Sequence, residues 1–355
     1  MLTIFWINQK LMKRQGQLLE EIADLNNLYE AFYKAQKGKL SKQYVSAYKS
    51  QLQNNLLRLQ HQIISGAVET GGYHTFTIYD PKKRLICATP FSQRVLHHAL
   101  MNICHASFEK HQIATSFASR SVKGTYAALD KAREYHCLYR WFLKLDVRKY
   151  FESIDHSILK QQLHRMFKDQ ALLLTFEKII DSYSTAPDKS VPIGNLTSQY
   201  FANHYLSMAD HYLKEVLRIP AYVRYMDDMV LWHHDKEALL DIGYRFQEYL
   251  VRKLLLQLKP FCLNAAGKGL PFLGYLLFPN RVKLNQRSKK RFIQKSLHYD
   301  HYLQRGRWSQ KEFANHLMPL VAFTEYADAR EFRKNVYSTM VAVEEEGHQS
   351  WVRTV

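Results

Sequence analysis

Tyr225-Met226-Asp227-Asp228 is the stretch of this 355-residue sequence whose residue types most directly imply chemistry. It lies inside Ala221-Tyr-Val-Arg-Tyr-Met-Asp-Asp-Met-Val-Leu-Trp232, two apolar, β-prone arms around a polar centre, which is the pattern of a hairpin with acids at its tip. Neighbouring residues of a straight strand face opposite ways, so two adjacent carboxylates can serve one site only where the chain turns. Joined by a third aspartate from another strand, such a pair supplies the oxygen ligands that two hard cations ~3.5–4 Å apart need for phosphoryl or nucleotidyl transfer. Asp is also a favoured turn residue, so the pair by itself reads more readily as a solvated turn. The rest of the chain must supply the third acid.

Trp141-Phe-Leu-Lys-Leu-Asp-Val147 reads as a strand ending at Asp146, followed by a helix carrying Ile158, Leu159 and Leu163. A carboxylate at the end of an apolar strand is costly unless a metal or a basic group meets it, so Asp146 is the expected third ligand. Asp155 is better explained as the N-cap of a helix over His156–Met166 than as a catalytic acid. Further on, Pro192-Ile-Gly-Asn-Leu-Thr-Ser-Gln199 breaks the pattern and opens a long helix whose buried face is expected at Phe201, Tyr205, Met208, Tyr212 and Val216. Gly194 lets backbone approach a ligand closely, and Ser198 and Gln199 offer hydrogen bonds at the helix start. The bland alternative is a helix cap.

Composition bounds the partners. Lys+Arg 50 against Asp+Glu 32 gives a formal charge of +18, which favours a polyanion, nucleic acid before a membrane surface. Tyr 23 and Phe 19 add stacking surfaces of the kind single-strand binders use, although most must be core. Cys87, Cys104, Cys137 and Cys262 lie far apart without a CxxC pair, the pattern of reduced cytosolic thiols and no zinc site. The apolar start Met1–Ile7 is too short to span a bilayer, and Lys10, Lys13 and Arg14 follow rather than precede it, unlike a signal peptide. His97-His98 and His233-His234 belong to no HExxH motif.

The remaining elements must position these groups. Leu18, Ile22, Leu25, Tyr29 and Phe32 mark one amphipathic helix, and Val45, Tyr48, Leu52, Leu56, Leu59 and Ile63 a second. Tyr73–Asp80 and Arg84–Thr89 form a hairpin turning at Asp80-Pro81-Lys82, with Lys82, Lys83 and Arg84 near its tip, suited to a triphosphate or to plain solvent. A helix from Val95 should bury Ala99, Ile103 and Ala106, and Ala127 to Glu134 reads as another. Arg120–Thr125 lacks the spacing of a phosphate loop. Leu239, Ile242, Phe246 and Tyr249 mark a later helix, and Gly269–Phe278 a glycine-punctuated β pair. From Arg281 to Glu312 ten Lys/Arg face only Asp300 and Glu312, which favours a helical nucleic-acid contact through Lys289, Lys290, Arg291 and Lys295. The basic N-terminal helices and this basic region are also candidate protein-docking surfaces by charge.

Taken in order, strand-Asp146, the Pro192–Gln199 loop and helix, the Tyr225–Asp228 hairpin and Phe272-Leu-Gly-Tyr275 resemble the successive palm motifs of reverse transcriptases. Asp80-Pro-Lys-Lys-Arg-Leu-Ile and Arg94-Val-Leu-His-His-Ala99 are similar to the fingers motifs, so the resemblance covers roughly residues 67–285. It implies an α+β right-hand polymerase fold with fingers, ferredoxin-like palm and helical thumb, preceded by an N-terminal helical layer. The implied division is 1–66 N-terminal helical region, 67–140 fingers, 141–285 palm, 286–345 basic helical thumb and 346–355 tail. Within the family, Ile193-Gly-Asn-Leu-Thr-Ser-Gln199 looks like the version in reverse transcriptases of diversity-generating retroelements, where other branches carry glutamine before the glycine and proline after the serine. Retron-, intron- and defence-type reverse transcriptases share the palm acids, and a non-catalytic RNA-binding scaffold would also account for the charge.

The resemblance implies roles residue by residue. Asp146, Asp227 and Asp228, with the backbone oxygen of Val147, would hold two Mg²⁺, with Mn²⁺ as the alternative ion. Phe151 matches the steric gate against a ribose 2′-OH; Arg84 and Lys82 match the triphosphate clamp, with Gly194, Ser198 and Gln199 lining the nucleotide site. Lys259 or Lys268 would assist pyrophosphate departure. Ile193 in place of a polar residue would leave shape as the main discriminator, implying errors at template adenines. Implied partners are template RNA, the RNA–DNA hybrid, deoxynucleoside triphosphates and a small accessory variability determinant protein, for a cytoplasmic protein encoded by a bacterium, an archaeon or a phage and working away from membranes.

Overall fold

The computed structural model describes residues 14–79 and 82–345, so the apolar start, the Asp80-Pro81 turn and the tail from 346 lie outside the described residues. Four helices come first: α1 (Leu19–Ala23), α2 (Leu25–Gln36), α3 (Gln43–Ser50) and α4 (Leu52–Ile64). Each expected amphipathic helix is thus divided in two. Asp24 turns extended and its carboxylate accepts from the N–H groups of Asn26 and Asn27, which ends α1 and caps α2. Gln51 leaves helical geometry between α3 and α4. Leu18, Ile22, Phe32, Val45, Leu56, Leu59 and Ile63 are buried, whereas Leu25, Tyr29, Tyr48 and Leu52 are half-buried.

The hairpin β1 (His74–Ile78) and β2 (Arg84–Ala88) follows, antiparallel from His74↔Ala88 to Ile78↔Arg84. Next comes α5 (Phe91–Lys110), which buries Val95, Leu96, Ala99, Leu100, Cys104 and Phe108. Ala106 is exposed, contrary to expectation: α2 and the later helix Leu196–Tyr205 pack on α5, whose buried side runs through Leu100, Cys104 and Phe108.

The central sheet is built from β3 (Trp141–Asp146), β4 (Ala221–Tyr225), β5 (Asp228–His233) and β6 (Cys262–Ala265) in the order β4-β5-β3-β6. Before β3 lies α6 (Thr125–Leu138). Between β3 and β4 the chain forms α7 (Tyr150–Ser153), α8 (His156–Met166), α9 (Gln170–Asp181), α10 (Leu196–Tyr205) and α11 (Ser207–His211); between β5 and β6 it forms α12 (Lys236–Leu254). A first strand inserted beside the third and fourth is the split βαβ arrangement. It makes β3 and β5 neighbours, so the end of one strand and the start of the other carry Asp146 and Asp228. The Asp155 carboxylate accepts from Ile158 N–H at the start of α8, the expected N-cap. The long helix expected after Gln199 is interrupted at Leu206 and ends in a π-helical turn over Tyr212–Val216. The wider turn takes Val216 out of the apolar stripe, and it is exposed.

The expected β pair is a three-stranded antiparallel meander of β7 (Leu270–Phe272), β8 (Tyr275–Phe278) and β9 (Arg281–Leu284). The helices α13 (Gln286–Gln304), α14 (Gln310–Glu325) and α15 (Arg330–Glu345) follow, with Phe292 and Val336 buried among Phe313, Leu320, Val321, Phe332 and Tyr337. The basic run is therefore not one helix: Arg281 and Lys283 lie on β9, and the rest divides between α13, the turn after it and α14. The chain forms two compact units, one of residues up to Ala128 with Leu143–Leu263, the other of Leu129–Phe142 with residues from Asn264 on. Among the described residues no helix is long and apolar enough to cross a membrane. Cys87, Cys104, Cys137 and Cys262 form no disulfide.

Candidate active site

Tyr225 pairs with Asp228 across the β4–β5 hairpin, leaving Met226 and Asp227 as a two-residue turn. Met226 takes φ 53°, the left-handed conformation that tight hairpin turns require at a cost of ~1–2 kcal/mol for a side chain other than glycine. A buried guanidinium holds the turn from beneath. Arg224 Nη1 donates to Met226 O at 3.2 Å and to Asn203 Oδ1 at 2.7 Å, while Nε and Nη2 grip the Asp210 carboxylate at 2.6–3.0 Å. Nη2 also reaches Gln112 Oε1 and Asn203 O, and Tyr222 Oη donates to Asp210 at 2.7 Å. Arg224 and Asp210 are fully buried, so each charge is neutralised by the other and by directed hydrogen bonds. Sequence reasoning missed this pair. The available signal was an arginine in an otherwise apolar strand that must be central.

Asp146 bears electrostatically on both hairpin aspartates. Asp228 stands at the start of β5 with Lys144 Nζ 3.2 Å from both its carboxylate oxygens. Burial pushes its carboxyl up to about 6 against the pull of Lys144, with Asp146 and Asp227 adding repulsion. Asp227 is also raised, first by burial and then by Asp146, opposed by its own backbone N–H, Lys259 and Arg84. Asp146 ends β3, and Lys259 Nζ stands 2.9 Å from its Oδ1 while Lys259 N–H donates to Asp146 O at 2.9 Å. The Oδ1 atoms of Asp146 and Asp228 are buried yet accept no well-directed hydrogen bond, the ammonium groups lying within ionic contact but off line.

Those two oxygens and the crowding of three carboxylates fit hard dications in donor chemistry. Among the described residues no group of three His, Cys, Asp or Glu is placed closely enough to hold an ion as it stands. Lys144 and Lys259 stand as counter-ions at two of the acids.

The neighbours sort by distance from these acids. Val147 is buried, in a bridge with Leu258. Phe151 is half-buried on α7, five residues beyond Asp146, with Lys149 before it in the left-handed region. Arg84 begins β2, exposed, and its charge reaches Asp227; Lys82 is exposed two residues before it. Ile193 is half-buried, Gly194 exposed, Ser198 buried, and Gln199 exposed with its Oε1 accepting from Ser119 Oγ at 3.2 Å. Of the two candidate lysines Lys259 is the one beside an acid; Lys268 belongs to the second unit. A cavity of about 590 Å³ opens next to Lys259, lined by Arg148, Lys149, Lys189 and Lys259 against one acid, Glu152, so its field attracts anions. In the second unit Lys290 is exposed, Arg291 and Lys295 are half-buried on one side of α13, and Lys289 lies 5.7 Å over the Phe332 ring. The four do not share a face.

Two yeast proteins (Saccharomyces cerevisiae, strain S288c) are similar. The putative COX1/OXI3 intron 1 protein is 22% identical over 156 residues, 42% of this chain and 18% of that protein. The putative COX1/OXI3 intron 2 protein is 20% identical over 220 residues, 56% and 25% respectively. This chain thus spans a quarter or less of the length of the curated relatives it matches. Among solved structures, telomerase of Candida tropicalis in complex with a telomeric RNA fragment is similar at a TM-score of 0.47 and 10% identity, covering 78% of this chain and 55% of that one. The Candida albicans telomerase complex is similar at 0.48 and 12%, covering 77% and 55%. The profile of the reverse transcriptase (RNA-dependent DNA polymerase) family matches residues 79–276, a span that holds every acid of the hairpin site and more than half of the sequence, and the chain belongs to that family.

Proposed function

We propose that the protein is an RNA-directed DNA polymerase of right-hand architecture, with Asp146, Asp227 and Asp228 as its catalytic acids. The observation that carries the reading is the convergence of those three carboxylates at the adjoining ends of β3 and β5, where Asp146 adds to the proton affinity that burial gives Asp227 and Asp228. They would hold two Mg²⁺, or Mn²⁺ in its place, which when bound activate a primer 3′-hydroxyl and neutralise the triphosphate. The backbone oxygen of Val147 would complete the set. Arg84, with Lys82 beside it, draws the triphosphate towards Asp227, and Phe151 bars a 2′-hydroxyl by its bulk. Lys259 is placed to give a proton or a charge to departing pyrophosphate. Gly194, Ser198 and Gln199 shape the floor beneath the nascent pair.

The finer reading is mutagenic copying in a diversity-generating retroelement, because Ile193 offers the nascent pair no hydrogen bond. On it, the protein works with template RNA and an accessory variability determinant in the cytoplasm. The intron-type alternative draws support from the names of the two similar yeast proteins. One experiment separates them. Purified protein is supplied with RNA template, Mg²⁺ and deoxynucleotides, and the cDNA is sequenced. Mutagenic copying is expected to scatter errors at template adenines and to lose them with Ile193→Gln; faithful cDNA from the wild type overturns that reading. Extension that survives Asp227→Ala with Asp228→Ala overturns the catalytic assignment.

A further inference from the structure

Asn195 occupies the N-cap position of α10, where an asparagine side chain ordinarily accepts from the first N–H groups of its own helix. It makes no such bond. Its amide is buried against β2 instead: Nδ2 donates to Cys87 O at 3.1 Å, and Oδ1 accepts from Thr89 N–H at 3.2 Å. A carbonyl on one side and an N–H on the other leave the amide one orientation. Two more contacts close the same seam. Cys87 N–H donates to Ile193 O at 2.8 Å, and Gly194, at φ +120°, lies so near β2 that a Cβ there would stand 2.8 Å from Ile86 Cγ2. The strand gripped in this way begins at Arg84, whose charge reaches Asp227.

We propose that Asn195 is a positioning residue for nucleotide selection, holding Ile193 and Gly194 in register with β2 and so fixing where Ile193 stands relative to Arg84 and the acids. The inference rests on the polymerase reading above. An asparagine needed only to begin α10 would cap it. This one gives that up and satisfies two backbone groups at the end of β2, Cys87 O and Thr89 N–H, both in buried residues. Registration by side chain matters here because the loop is short, and Gly194 leaves its backbone free to move.

The test measures kcat/KM for matched and mismatched deoxynucleotides opposite template adenine. It uses wild type, Asn195→Asp, Asn195→Ala, Ile193→Gln and the double variant Asn195→Ala with Ile193→Gln, with thermal unfolding of each. Asn195→Asp keeps the acceptor for Thr89 N–H and loses the donor to Cys87 O, so it breaks one bond without opening a hole. The matched-to-mismatched ratio is expected to shift several-fold in both Asn195 variants. In the double variant the two effects are expected to be non-additive, because the identity of residue 193 counts for less once its placement is lost. An unchanged ratio in both Asn195 variants, or effects that simply multiply, overturns the proposal. Should Asn195→Ala fail to fold, the ratios of Asn195→Asp and of a second double variant, Asn195→Asp with Ile193→Gln, decide alone. A wild-type protein that extends no template sinks the polymerase reading itself; extension with unchanged selectivity sinks only this inference.

Discussion

Asp228 is held as an acid in a place that favours its neutral form, burial having pushed its carboxyl up to about 6. A carboxyl whose pKa is higher folded than unfolded stabilises the fold fully below the unfolded value, and that contribution is lost as pH rises through the folded value. In metal-free buffer the wild type is therefore expected to lose stability between about pH 4 and 6. Asp228→Asn, uncharged throughout, should be more stable than wild type at pH 8, by up to about 3 kcal/mol, and show little gain at pH 4. The gain would come with the loss of polymerisation. Urea unfolding at the two pH values checks this; a variant less stable than wild type at pH 8 would contradict an electrostatic origin in the buried carboxylate. Residues of this kind were legible in the sequence because ionisable groups next to apolar strands demand a reason. Asn195 was not: its type and place are those of an ordinary helix cap, and only the neighbouring strand reveals where its amide goes.

The hairpin of β4 and β5 shows how an element transmits such constraints. Its two apolar arms and acid tip could be read from Ala221–Trp232, and so could the strand ending at Asp146 and the cap of α8, because each is a local pattern. What periodicity could not show is what lies under the turn. Arg224 belongs to β4, Asp210 to α11, and Gln112 follows α5, so the network exists only after three separate segments have packed. The same limit explains the helices that proved divided: a side chain at Asp24 or a π turn after His211 stops a stripe that composition alone would continue. Removing one partner leaves a buried charge, so Arg224→Met is expected to cost about 3–5 kcal/mol and to release the carbonyl of Met226. Arg224→Met with Asp210→Leu should unfold less readily than either single variant, since no charge is left unpaired. Yet its turn would still lack its anchor, so activity should stay low while stability recovers. Denaturation midpoints set beside extension rates distinguish these outcomes, and recovery of both together would mean that the network serves stability alone.

Across the whole molecule the net charge of +18 is the property that most constrains the partner. Its use, however, differs from cation to cation. Lys259 and Lys144 lie against the acids, Arg120 is bound to Glu109 at 2.6 Å, and Lys289 rests on Phe332, so these charges have work inside the fold. Lys290, by contrast, is exposed on α13. If the charge serves RNA binding, the logarithm of the association constant should fall linearly with the logarithm of salt concentration, steeply, as counterions are released from the strand. Lys290→Ala is then expected to weaken binding about equally for unrelated RNA sequences and to lower the slope by about 1, with no change in thermal stability. Lys289→Ala should differ, since it removes a cation from an aromatic face worth about 0.5–1 kcal/mol, and should lower the unfolding temperature as well. Anisotropy titrations of labelled single-stranded RNA at several salt concentrations check both. A slope that Lys290→Ala leaves unchanged would take α13 out of the nucleic-acid path and leave the binding charge to other cations of the chain.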